Sequence, residues 1–132
     1  MDVNIDTLYA VLIGRIVNGN ANLLFYSQLS EMYERLTGVA VDYHRGWRKP
    51  LGELNQRLCR VGAPALSALV VLKPRSHETP EPGPGFWGCA DNVPPRPKNA
   101  MTRLETWNRI LLDLQGYDWP PSLTQLMLDR PS

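Results

Sequence analysis

The chain has 132 residues, of which 43% are apolar and 20% are charged, a balance typical of one globular domain (residues 1–132) rather than of a disordered chain. The apolar stretch of residues 8–17 contains Gly14 and Arg15 and is too short to cross a membrane. With no membrane segment and no secretory leader, we expect a cytoplasmic protein without a membrane partner, whose cysteines stay reduced.

The N-terminal third predicts a helix, one short strand and a second helix. Apolar residues at helical spacing predict the first helix over residues 7–17, and Asn-Gly-Asn at residues 18–20 is expected to end it. The run Leu-Leu-Phe-Tyr at residues 23–26 predicts a brief strand. Residues 27–38 predict the second helix, and residues 39–49, with two aromatic side chains among cations, predict an irregular loop.

The middle of the chain predicts a third helix followed by a β-hairpin. Residues 50–61 carry leucines at helical spacing behind a proline that suits the start of a helix. Residues 65–72 (ALSALVVL), bounded by prolines, predict a strand, and residues 86–89 predict the strand that returns. Between them residues 73–85 form a long tip rich in proline and glycine. Residues 90–98 are a proline-rich connector.

The C-terminal part predicts two more helices. Thr102 and Glu105 form a capping-box pattern that opens a helix over residues 102–115. Ser122 is expected to cap a last short helix. These elements together predict an α+β fold dominated by helices, with a small antiparallel sheet.

The order helix, short strand, helix, helix, strand, long tip, strand resembles that of winged helix-turn-helix domains. The resemblance covers residues 7–89 and is one of element order, so residues 99–132 would be a C-terminal helical extension. In that family the helix before the hairpin enters the DNA major groove, and the hairpin tip contacts the backbone or the minor groove. The resemblance therefore implies these roles for residues 50–61 and 73–85.

The charges of the chain are strongly polarised along the sequence. Residues 44–103 carry a formal charge of +6, whereas residues 1–43 carry −3 and residues 104–132 carry −2. A basic segment of this kind favours a negatively charged partner, since lysine and arginine neutralise phosphates. The candidate cations are Arg45, Arg48, Lys49, Arg57, Arg60, Lys73 and Arg75.

Three aromatic residues near these cations are candidates for contacts with a partner. Tyr43, Trp47 and Trp87 could stack on bases or anchor a protein interface. Alternatively, Tyr43 and Trp47 cover the hydrophobic core beneath the loop, which we prefer for these two residues.

The sequence contains no pattern typical of a catalytic, cofactor or metal site, so we expect a binding protein without enzymatic activity, cofactor or metal. The leading partner is duplex DNA, with Arg57 and Arg60 toward base edges. The phosphates would be neutralised by Arg45, Arg48, Lys49, Lys73 and Arg75. The alternative is an adaptor or inhibitor that binds another protein, of the type encoded by phages or mobile elements. A nuclease or other hydrolase is a third reading. A homodimer would use the helix over residues 102–115 as its interface.

Overall fold

A computed structural model of the protein describes residues 3–75 and 78–128, which form a mixed helix and sheet structure of the α+β type. Five helices are found in these residues: α1 (Ile5–Ile13), α2 (Tyr26–Thr37), α3 (Arg48–Arg60), α4 (Ala100–Gly116) and α5 (Leu123–Leu128). The strands of the same part of the chain are β1 (Ile16–Val17), β2 (Asn20–Ala21), β3 (Leu24–Phe25) and β4 (Val70–Val71). Two 3-10 helices span Leu66–Leu69 and Pro84–Phe86.

The segment that follows α1 is a small antiparallel hairpin, so the prediction that the first helix extends to residue 17 is wrong. In the hairpin, β1 pairs with β2, Ile16 opposite Ala21 and Val17 opposite Asn20. The two residues of the turn are Asn18, with a φ of 53°, and Gly19, with a φ of 77°. Because both φ values are positive, the turn has the twist that two-residue hairpins require, and Asn-Gly is the pair that adopts it at lowest cost.

The hairpin predicted over residues 65–89 does not form. Leu66–Leu69 is a 3-10 helix, and β4 pairs in parallel with β3, Leu24 opposite Val70. The arms of the long tip meet through a backbone hydrogen bond from Leu72 N to the Glu81 carbonyl (2.9 Å), and the predicted returning strand is a 3-10 helix and a turn. Each residue from Ala65 to Val71 is buried, and an apolar run that is buried all round has no periodicity to distinguish strand from helix.

The core lies between α1, α3, α4 and the 3-10 helix at Leu66–Leu69. Leu51, Leu54 and Leu58 of α3 are buried as the sequence predicts. Trp107 of α4 is buried and donates its indole N–H to the Ala68 carbonyl (2.9 Å), which ties α4 to the 3-10 helix. The packing of α3 against this core leaves the opposite face of the helix open to solvent. Among the described residues no helix combines the length and the apolarity needed to cross a bilayer.

The helix ends agree only in part with the capping patterns of the sequence. Gly38 ends α2 in the left-handed conformation, with a φ of 75°, as predicted. Ser122 accepts a hydrogen bond from Gln125 N at the start of α5, also as predicted. The fourth helix, however, begins at Ala100, and Asn99 rather than Thr102 caps it by accepting a hydrogen bond from Thr102 N. Asparagine caps helices as well as threonine does, so the sequence offers two competing starts.

Candidate functional site

One face of α3 carries a stripe of polar and charged side chains along the whole length of the helix. These residues recur at helical spacing opposite the buried leucines, so they share one side of the helix. They form the floor of a concavity of about 890 Å³, which we call the basic cleft. The α3 residues that line it are Arg48, Lys49, Gly52, Glu53, Gln56, Arg57 and Arg60.

The loop before α3 adds one more cation to this cleft. Asp42 organises the loop, since its side chain accepts a hydrogen bond from His44 N (2.9 Å) and its carbonyl accepts one from Gly46 N (2.7 Å). Such turns are typical of aspartate in short loops. Arg45 lies on this turn, is exposed and lines the cleft next to the start of α3.

The opposite wall of the cleft is the segment of residues 85–89. Trp87 is half-buried there and packs edge-on against the buried ring of Phe86, with 5.1 Å between ring centroids. Gly88, with a φ of 72°, turns the chain after it and donates its N–H to the Pro94 carbonyl (3.0 Å). Of the two adjacent aromatic rings, that of Phe86 is buried in the core and that of Trp87 lines the cleft.

Electrostatically, the cleft is positive. It contains five cations and one carboxylate, a formal net charge of +4. Arg57 and Glu53 form an ion pair of 2.9 Å one turn apart on α3. Within residues 3–75 and 78–128, the remaining four cations have no carboxylate partner. We therefore count Arg45, Arg48, Lys49 and Arg60 as the cations free to bind an anion, while Arg57 is partly neutralised.

The position of Arg48 and Lys49 in the first turn of α3 is electrostatically unfavourable for the helix. The N-terminal end of a helix carries a partial positive charge, and the first turn of α3 has no acidic residue. A cation in the first turn lowers the stability of the helix by about 0.3–1 kcal/mol. An anion at this end would relieve both the side-chain repulsion and the helix dipole. Departures from local preference of this kind are expected at functional sites.

The other predicted cations lie elsewhere. Lys73 is exposed and lines a second cavity of about 660 Å³, which we call the aromatic pocket. Arg75 is exposed and lies outside both the cleft and the pocket. The sequence thus groups seven cations, whereas the structure brings five of them into one cleft.

The three aromatic candidates have different environments. Trp47 is 1% exposed, so it belongs to the core, as preferred for it; its indole N–H donates to Ser30 Oγ (2.7 Å). Tyr43 is 46% exposed, so the prediction that its ring covers the core is wrong. It lies against the His44 ring at the mouth of the aromatic pocket. Trp87 lines the basic cleft.

A buried polar cluster joins α3 to the segment of residues 85–89, and it was not predicted from the sequence. Asn55 of α3 is fully buried and donates from its side-chain amide to Ser67 Oγ and to Cys89 Sγ. The backbone carbonyl of Asn55 accepts a hydrogen bond from the Asn92 side chain (3.4 Å). Burial raises the pKa of the Cys89 thiol, which keeps it protonated at neutral pH. The signal in the sequence was an asparagine in the apolar stripe of a helix, where a polar residue needs partners.

Comparisons with known protein families, with curated proteins and with solved structures find no match to this chain. The cleft combines one half-buried indole with four cations that have no carboxylate partner within residues 3–75 and 78–128. Guanidinium and ammonium groups bind phosphates through charge-assisted hydrogen bonds.

Proposed function

We propose that this protein binds nucleic acid and holds the phosphates of one strand along the basic cleft. The observation that carries the proposal is that one concavity is lined by four cations, Arg45, Arg48, Lys49 and Arg60, each without a carboxylate partner among the described residues. Several cations in one concavity can neutralise neighbouring phosphates of a nucleic-acid backbone and release the counterions condensed on it.

Duplex DNA, the partner predicted from the sequence, can present the phosphates of either strand to such a cleft. The role proposed for α3 differs from that of a recognition helix, because the cations of α3 lie in a concavity walled by residues 85–89. A helix that reads base edges in the major groove has to protrude from the protein surface. We therefore assign phosphate contacts to Arg48, Lys49 and Arg60, and no base contact to Arg57, whose guanidinium donates to Glu53.

A single substitution in the cleft tests the proposal. We expect Arg60→Gln to weaken binding of a labelled DNA duplex about five- to tenfold near 0.1 M salt. The variant loses one phosphate contact, so its binding releases roughly one counterion fewer from the DNA. Arg109→Gln is the matched control, since Arg109 is exposed on α4 and lies outside the cleft. Fluorescence anisotropy measures both dissociation constants.

The alternative predicted from the sequence is a protein partner, and the same assay tests it for a partner with an acidic surface. Polyglutamate of equal charge serves as the competitor. If the protein binds nucleic acid, DNA is bound and polyglutamate displaces it only weakly, because carboxylates do not reproduce the spacing of backbone phosphates. Equal effects of the two substitutions, or binding of polyglutamate without binding of DNA, would rule the proposal out.

A further inference from the structure

The aromatic pocket adjoins the basic cleft and shares a wall with it. Four residues line both cavities: Arg48, Gly52, Gly85 and Cys89. The Arg48 side chain lies directly on the Gly85 backbone, where a Cβ would come within 2.9 Å of Arg48 Cγ. The cleft and the pocket therefore meet at Arg48 and Gly85.

Several aromatic side chains contribute to the lining of the pocket. Phe25, Tyr26, Trp47 and Phe86 contribute to its walls, and Tyr43 lies at its exposed edge. The Tyr26 hydroxyl accepts a hydrogen bond from Gly83 N (3.2 Å), which fixes that ring against the far wall. A cavity of about 660 Å³ lies within the usual range of ligand sites, about 300–1,000 Å³. Aromatic side chains in the wall of a pocket favour a ligand with an aromatic ring.

Polar groups lie at the floor and at the mouth of the pocket. Ser67 lines the floor, and its hydroxyl accepts a hydrogen bond from Asn55 while still carrying a proton to donate. Arg48 and Lys73 give the mouth a positive charge, and His44 lies beside them. This distribution fits a ligand with an aromatic body, a few hydrogen-bonding edges and a negative charge outside the pocket.

We propose that the aromatic pocket binds an unpaired nucleobase of the strand whose phosphates occupy the cleft. The inference rests on the proposed function, and it narrows the ligand to single-stranded nucleic acid or to a duplex with an unpaired nucleotide. A paired and stacked base cannot enter the pocket without leaving its helix, and this unstacking costs free energy that an unpaired base does not require. Bases of any sequence can stack on aromatic side chains, so the selectivity is for unpaired structure rather than for sequence.

The test compares strands with and without bases. The probes are fluorescein-labelled oligothymidylate of about twelve nucleotides, an abasic strand of the same length, and the corresponding paired duplex. We expect the wild-type protein to bind oligothymidylate about tenfold more tightly than the abasic strand or the duplex, the gain that stacking of a base provides.

Tyr43→Ala removes an exposed ring at the mouth of the pocket and should weaken binding of oligothymidylate about fivefold, with no change for the abasic strand. Leu36→Ala is the control, since Leu36 is 66% exposed on α2 and lines neither cavity, and it should change nothing. Equal affinity for the two strands, or an equal effect of Tyr43→Ala on both, overturns the pocket assignment and leaves the cleft intact. Failure of every strand to bind overturns the proposed function together with the pocket.

Discussion

Replacing Arg45, Arg48, Lys49 and Arg60 together by glutamine is expected to reduce the affinity for nucleic acid on the order of a thousandfold near 0.1 M salt. Each of these cations lines the cleft without a carboxylate partner in the described part of the chain. For each phosphate contact that is lost, close to one counterion stays on the nucleic acid when the protein binds. The factors by which the association constant falls multiply over the four lost contacts. Anisotropy titrations with oligothymidylate and with duplex DNA measure the effect.

The control for this variant changes the same number and type of charges elsewhere. Arg35, Arg96, Lys98 and Arg109 are exposed and lie outside both cavities. Their joint replacement by glutamine keeps the same net charge as the cleft variant, so it corrects for the loss of overall positive charge. We expect at most a few-fold weakening from it. Similar losses in the two variants would show that binding depends on net charge and not on the cleft.

Trp47→Ala is expected to lower the free energy of unfolding by about 3–5 kcal/mol. Trp47 directly precedes α3, and its ring packs edge-on against the buried Tyr33 ring, with 5.5 Å between centroids. Its removal leaves a large cavity between α2 and the start of α3. Because folded domains are stable by only about 5–15 kcal/mol, the variant should unfold at much lower urea concentration.

Trp47→Phe separates the packing of the ring from its hydrogen bond. The smaller ring still meets Tyr33 but cannot donate to Ser30 Oγ, so we expect a loss on the order of 1 kcal/mol. Urea denaturation followed by circular dichroism measures both variants. A loss below about 1 kcal/mol for Trp47→Ala would contradict the position of this side chain in the core and, with it, the orientation of the first turn of α3.

The helices could be predicted from the sequence because their apolar residues recur at helical spacing over three turns or more. In α3 the same spacing that buries Leu51, Leu54 and Leu58 also places the polar residues on the opposite face. The basic face of α3 is thus a direct consequence of the pattern. Its pairing with residues 85–89 is not, because that contact joins residues about thirty positions apart without a local signal.

The two small sheets, β1 with β2 and β3 with β4, were harder to predict because their strands are two residues long. A strand of two residues is too short to show an alternation of apolar and polar side chains, so only the turn residues beside it indicate its position. Asn18-Gly19 is a strong hairpin signal, but it follows a helix and was interpreted as the end of that helix. The run at residues 65–72 has β-branched residues only at its end, and only Val70–Val71 is a strand.

Whether a side chain is buried or exposed depended on contacts that the sequence does not contain. Tyr43 and Trp47 lie in the same loop with the same neighbours, yet Trp47 is buried against Tyr33 and Tyr43 is exposed. Lys73 and Arg75 follow the same strand, yet only Lys73 lines a cavity. The winged-helix resemblance is one of element order and includes a hairpin over residues 65–89, whereas β4 pairs in parallel with β3. Function therefore has to be argued from the cleft rather than from the resemblance.

The central claim is that four cations of one cleft bind backbone phosphates, and the salt dependence of binding tests it most directly. Between about 50 and 200 mM salt, the logarithm of the association constant should fall linearly with the logarithm of salt concentration, with a slope of about −3.6 for duplex DNA or about −2.8 for a single strand. In the variant with glutamine at Arg45, Arg48, Lys49 and Arg60, the slope should approach zero. A wild-type slope near zero, or an unchanged slope in the variant, would contradict the claim.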